Sequence, residues 1–128
     1  MVDTPSSIAF KYLTSFKKNA VAVMETIKRE GEKYVRKYKN KDVGVYVYAL
    51  PHQKGMSWEY ENTSKDYVLD ETITFNLKNA WIEGCNDDTM RIILNPGCTK
   101  VINITKGYGK NEGAGTVKNL EFNVRPHL

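Results

Sequence analysis

From Val43 to the C-terminus the chain is a series of short β-branched and aromatic runs, each closed by turn chemistry, and that punctuation leaves few folds open to it. Val43, Val45 and Val47 alternate with Gly44, Tyr46 and Tyr48 in a strand that ends at Pro51. Further strand runs are Ser57 to Glu61, Tyr67 to Leu77, Ala80 to Ile82, Met90 to Leu94, Lys100 to Thr105 and Thr116 to Val124. Between them fall Gly55, Asn62-Thr63-Ser64, Gly84 through Asp88, Asn95-Pro96-Gly97 and Gly107 to Gly115. No helical period interrupts the series. The pattern predicts a mainly β fold, an antiparallel β-sandwich of about seven strands over residues 42–128.

Ahead of it the periodicity differs. From about Ser7 to Lys39, apolar residues recur at Ile8, Tyr12, Leu13, Phe16, Ala20, Val23, Met24, Ile27, Tyr34 and Tyr38, mostly three and four apart. Thr4-Pro5-Ser6-Ser7 supplies helix-opening hydroxyls and a proline. Glu25 with Arg29, and Glu32 with Arg36, add same-face ion pairs. The expectation is one long amphipathic α-helix over residues 1–41, with Gly31 its weak point. At 1.5 Å per residue such a helix is about 45 Å long, more than a small sandwich covers, so part of its apolar face needs another surface.

Charge is divided along the same line. Residues 1–42 hold ten Lys or Arg against five Asp or Glu, whereas residues 43–128 hold nine against ten. The basic character belongs to the N-terminal segment, with Lys17, Lys18, Lys28, Arg29, Lys33, Arg36 and Lys37 as the candidate partner-binding residues. Such a surface raises encounter rates with anionic partners, whether acidic protein faces or anionic membranes. With 128 residues and 41% hydrophobic composition, one ordinary folded domain is expected. No stretch is long and apolar enough to span a bilayer, and neither a secretory signal nor a myristoyl or prenyl motif is read. A cytoplasmic protein with two reduced thiols, Cys85 and Cys98, is expected.

The reactive side chains do not assemble into a motif. The histidines are His52, beside Pro51 in a turn, and His127, next to last; pairing of Cys85 or Cys98 with His52 is the one enzymatic alternative. The two cysteines have the wrong separation for a local zinc pair. Asp66, Asp70, Glu71, Asp87 and Asp88 lack the alternating spacing of a calcium loop. Lys106-Gly107-Tyr108-Gly109-Lys110-Asn111-Glu112-Gly113 fails as a dinucleotide fingerprint, because position 112 is Glu and a strand follows. It fails as an RNA-binding strand as well, with Lys110 and Glu112 where stacking aromatics belong, so nucleic acid is not an expected partner. Trp58, Tyr60, Phe75 and Trp81 are expected in the core. No cofactor or metal is expected.

One resemblance stands on particular residues. Trp58-Glu59-Tyr60-Glu61-Asn62-Thr63, the strand around Val68 to Phe75, and Asn95-Pro96-Gly97-Cys98-Thr99-Lys100 resemble the β-sandwich domain of calpain-related proteins, especially the small ones of flagellated and ciliated protists. The similarity covers about residues 43–124; Cys98 stands where that pattern carries an acidic residue. The resemblance implies a non-catalytic assembly module or scaffold of the cytoskeleton, cilium or flagellum. The leading expectation is a protein-binding subunit held in a larger intracellular complex by its basic helix, against an acidic surface such as a cytoskeletal lattice. Peripheral binding of the same helix to anionic lipid, or a small enzyme using Cys85 or Cys98, are the alternatives.

Overall fold

The computed structural model describes residues 24–108 and 112–128. Helix α1 (Met24–Glu30) is followed by β1 (Glu32–Tyr38), β2 (Lys41–His52), β3 (Gly55–Asn62), β4 (Tyr67–Lys78), β5 (Ala80–Ile82), β6 (Thr89–Leu94), β7 (Thr99–Lys106) and β8 (Ala114–Pro126). A five-stranded sheet has the order β1-β2-β3-β7-β5, and a three-stranded sheet the order β6-β4-β8. All paired strands are antiparallel. The mainly β expectation therefore stands, as two sheets face to face with no closed barrel.

Alternation decides what lies between the sheets. Val45, Val47 and Ala49 of β2 stand opposite Asn62, Tyr60 and Trp58 of β3, and all six side chains are buried. They meet Leu69, Ile73 and Phe75 of β4 and Phe122 and Val124 of β8 from the second sheet. Trp58 packs edge-on against Phe75, with ring centroids 5.2 Å apart and planes at 74°, an arrangement worth about 0.5–1.5 kcal/mol beyond the area it buries.

The long helix is overturned where residues are described. The helix stops at Glu30, and Gly31 closes it by donating its N–H to Ile27 O at 2.8 Å. A Cβ on Gly31 would lie 2.4 Å from Ile27 O and 3.0 Å from Ala49 O, so the chain can hug β2 here only without a side chain. Residues 32–38, expected on the helix, form an eighth strand. Tyr34, Arg36 and Tyr38 fit a spacing of two as well as of four, and the strand reading wins because it pairs β1 with β2 along seven residues and turns these side chains toward the second sheet. The part of the expected helix over residues 7–23 lies outside the described residues.

Trp81 is a second correction. It is 48% exposed on β5, a three-residue edge strand whose inward residue is Ile82. Trp58, Tyr60 and Phe75 lie in the core as expected.

Candidate interaction surface

The outer face of the five-stranded sheet carries the side chains that alternation turns away from the core. On β3 these are Ser57, Glu59 and Glu61; opposite them on β2 stand Leu50, Tyr48 and Tyr46, and beyond those, on β1, Lys33 pairs with Tyr48 and Val35 with Tyr46. Helix α1 lies on this face against β2 and β3. Ile27 is fully buried there, outside the inter-sheet cluster. Lys28 Nζ lies 2.6 Å from Glu61 Oε2 and 3.3 Å from Glu59 Oε2, and the Tyr48 hydroxyl lies 3.5 Å from Glu61 Oε1. Glu59 is fully buried, yet neither of its carboxylate oxygens has a hydrogen-bond partner. Burial holds its carboxyl above the usual carboxylate range in spite of Lys28, while the bond to Glu61 raises the Lys28 ammonium.

The candidate cations of the N-terminal segment meet different fates. Lys28 is spent on α1's own seat. Arg36, expected to face outward, is buried between the sheets: its Nε lies 2.7 Å from Glu71 Oε1 and its Nη2 3.2 Å from Glu71 Oε2, with both side chains at 0% exposure. A guanidinium is tolerated there because a carboxylate from β4 meets it through two hydrogen bonds. The Tyr60 phenol, in the same buried group, is held well above its usual range by burial first and by Glu71 second. Arg29 is exposed and pairs with Glu30 at 3.3 Å. Lys33 sits over the Tyr46 ring at 4.0 Å. Lys37 is exposed. Lys17 and Lys18 lie outside the described residues.

Two further cations lie beside Lys37 at the turn end of β1. The β1–β2 connection is the two-residue turn Lys39-Asn40, both at positive φ, 51° and 64°, the conformation of a tight hairpin that matches strand twist. Lys39 reaches over the Tyr38 ring at 5.4 Å, and Lys41 opens β2, exposed. Lys37, Lys39 and Lys41 thus form a basic corner at the β1–β2 turn, backed by Tyr38, and Lys33 adds a fourth cation further along the edge strand β1, opposite Tyr48. The helical reading obscured it, although Asn40 between lysines was a turn signal in its own right.

His52 and Ser57 come together without the geometry of a nucleophile and its base. His52 Nε2 lies 2.8 Å from Ser57 Oγ, a separation familiar from acyl-transfer dyads. However, His52 Nδ1 accepts the Lys54 backbone N–H at 3.2 Å, so in the neutral ring Nε2 carries the proton and donates to the serine. Ser57 in turn donates to Asn103 Oδ1 at 2.6 Å. The imidazole is therefore a donor in a buried chain and not a base toward Ser57, and burial lowers its pKa. This chain was not read from the sequence, because its members come from β2, β3 and β7. Cys85 and Cys98 are free thiols, Cys85 directed at Thr89 O at 3.8 Å and Cys98 exposed. No group of three or more His, Cys, Asp or Glu suited to a metal occurs among the described residues, and no described helix is long and apolar enough to cross a membrane.

The segments that carry the calpain-related resemblance do structural work. Asn62 is 1% exposed; its Nδ2 donates to Tyr67 O and Leu94 O, both at 2.9 Å, and its Oδ1 accepts from Ser64 N and Ser64 Oγ. Thr63 Oγ1 donates to Gly44 O at 2.7 Å. These bonds tie the β3–β4 crossing to β2 and to the end of β6. Comparison of the chain with protein-family models, with curated proteins and with solved structures finds no match.

Proposed function

We propose that this chain is a non-catalytic protein-interaction module, a scaffold or complex subunit of the cytoplasm whose basic corner docks on an acidic protein surface. The observation that carries the reading is the row of Lys33, Lys37, Lys39 and Lys41 along the edge strand β1 and through its turn into β2, with two of these ammonium groups over the rings of Tyr46 and Tyr38. Partly ordered cations beside aromatic rings give up less conformational freedom on binding than lysines on an open surface. The hydrogen-bond direction at His52 and Ser57 supports the non-catalytic part of the reading. The resemblance of residues 43–124 to the calpain-related sandwich supports a place at the cytoskeleton, cilium or flagellum, where a tubulin lattice is strongly acidic.

Co-sedimentation with polymerised tubulin tests this. Binding is expected to fall as salt rises and to be lost when Lys33, Lys37, Lys39 and Lys41 are reversed to Glu. Equal pelleting of the wild-type and charge-reversed chains would end the proposal. If anionic vesicles capture the chain and tubulin does not, the partner is a lipid surface.

A further inference from the structure

The smaller sheet has the order β6-β4-β8, so among the described strands β8 pairs with β4 alone. The direction of its backbone groups can be read from the bonds at its end. His127 donates its N–H to Asp66 O at 2.8 Å. In an antiparallel ladder the alternate residues Arg125, Asn123 and Glu121 then turn their polar backbone groups to β4, while Val124, Phe122 and Leu120 turn theirs to the open edge. Two contacts agree. Phe75 of β4 bonds Asp88 O on the β6 side, which leaves the even-numbered Asp70 and Thr72 facing β8, and Val124 N is met by the Asn123 side chain at 2.9 Å in place of a strand. Such an edge is a template for another strand.

The charges along this edge are their own complement. Glu121 and Arg125 are exposed on the outward face of β8, one on each side of Asn123. Neither is in a salt bridge among the described residues: Glu121 is reached by Asn119 Nδ2 at 3.5 Å, and Arg125 acts on Asp70 only through its field. When a second β8 runs antiparallel to the first about a twofold axis at Asn123, Glu121 of each copy stands opposite Arg125 of the other. Phe122 then meets Val124 of the second copy as a hydrogen-bonded pair, and Val124 N exchanges the Asn123 side chain for that strand. Neighbouring registers are worse. An axis at Glu121 or Arg125 sets like charges opposite each other, an axis at Phe122 leaves both charges opposite asparagines, and an axis at Val124 brings Pro126, which has no N–H, opposite Phe122.

We propose that β8 is a self-association edge, through which two copies of this chain pair antiparallel over residues 121–125 and join their three-stranded sheets into one continuous sheet. The seam is bounded by Pro126 on one side and by the register shift at Lys118 on the other. A contact of that length buries less than about 1,200 Å² and gives a reversible dimer with a Kd of about 10–500 µM. It does not use the Lys33, Lys37, Lys39 and Lys41 row and does not depend on the function assigned to that row. Doubling the chain presents the row twice, which raises avidity on any repeating acidic surface.

Sedimentation equilibrium of the full chain from about 5 µM to about 1 mM tests this, with a monomer–dimer equilibrium expected. Glu121→Arg alone and Arg125→Glu alone each put like charges at both ends of the seam, and each is expected to raise the Kd more than about tenfold. Mixed in equal amounts, the two single variants regain opposite charges at both ends and are expected to form a heterodimer with about the wild-type Kd. The double variant, Glu121→Arg with Arg125→Glu, should recover self-association for the same reason. The Phe122 amide, which faces the edge, should exchange more slowly at the high end of the concentration range. Near-ultraviolet signals from Trp58 confirm that each variant is folded. A wild-type chain that stays monomeric at about 1 mM overturns the proposal. A dimer indifferent to the single reversals does so as well, as does a mixture of the two variants that associates no more tightly than either alone.

Discussion

Replacing Arg36 with Met should remove a large share of the stability of this domain. The guanidinium and the Glu71 carboxylate are both fully buried and joined by two hydrogen bonds of 2.7 and 3.2 Å across the two sheets. Methionine fills most of the volume, so the loss is chiefly that of charge compensation. Breaking a buried pair from one side costs about 3–5 kcal/mol, because the remaining ion keeps its desolvation penalty and loses its partner. Against a typical total of about 5–15 kcal/mol, that is about a fifth or more of the folding free energy. At about 4 °C per kcal/mol for a domain of this size, the melting temperature should fall by about 12–20 °C. Replacing both residues, Arg36→Met with Glu71→Leu, removes both desolvation costs and should recover most of the loss. Urea unfolding of the wild type, the two single variants and the double variant gives the coupling energy. A coupling below about 1 kcal/mol, the level of an exposed pair, refutes the reasoning.

Three other perturbations have defined outcomes. Asn62→Ala deprives Tyr67 O and Leu94 O of their donor and should cost about 2–4 kcal/mol in urea unfolding; a loss under 1 kcal/mol contradicts the role given to that corner. Glu59 has its folded pKa raised by burial, so its contribution is most favourable below the ordinary carboxylate pKa and is lost as pH rises through the raised value. The stability of Glu59→Gln relative to wild type should therefore be greater at about pH 7.5 than at about pH 4, and the reverse order of the two differences in unfolding midpoint refutes the buried-charge account. Lys39→Asn should stabilise the domain by about 0.5 kcal/mol, since asparagine tolerates the positive φ of that turn position better than lysine; a destabilised variant shows that the lysine's contact with Tyr38 outweighs backbone strain.

Much of the fold was legible in the sequence for a simple reason: strands with one face in a core must alternate, and turns at Asn62-Thr63-Ser64 and Asn95-Pro96-Gly97 declare themselves by residue type. The misreading of residues 32–38 is equally physical. Tyr34 and Tyr38 are four apart, so they satisfy a helical stripe, and Arg36 between them looks solvent-facing; only the existence of Glu71, thirty-five residues later and on the other sheet, makes an inward arginine affordable. Local pattern carries no information about such a partner. The α1 seat was hidden for a related reason. Glu59 and Glu61 alternate with Trp58 and Tyr60 as outward residues should, and nothing in that alternation says that the outward face is itself covered by a helix.

The fate of Arg36 and Lys28 changes what can be asked of the basic N-terminal region. Both cations are satisfied within the domain, so the outward charge among the described residues moves from a helix face to the β1–β2 corner, where Lys39 and Lys41 replace them. A comparison of the full chain with one beginning at Asp42 would then confuse binding with folding. It removes β1 along with α1, leaves Glu71 buried without its cation and opens the edge of β2. Removing residues 1–23 and, separately, reversing the corner lysines avoids that confusion, because both variants keep β1 and the two partners Arg36 and Glu71. If the shortened chain keeps its partner and the charge-reversed one loses it, recognition belongs to the folded corner; the opposite outcome assigns it to the segment ahead of Met24.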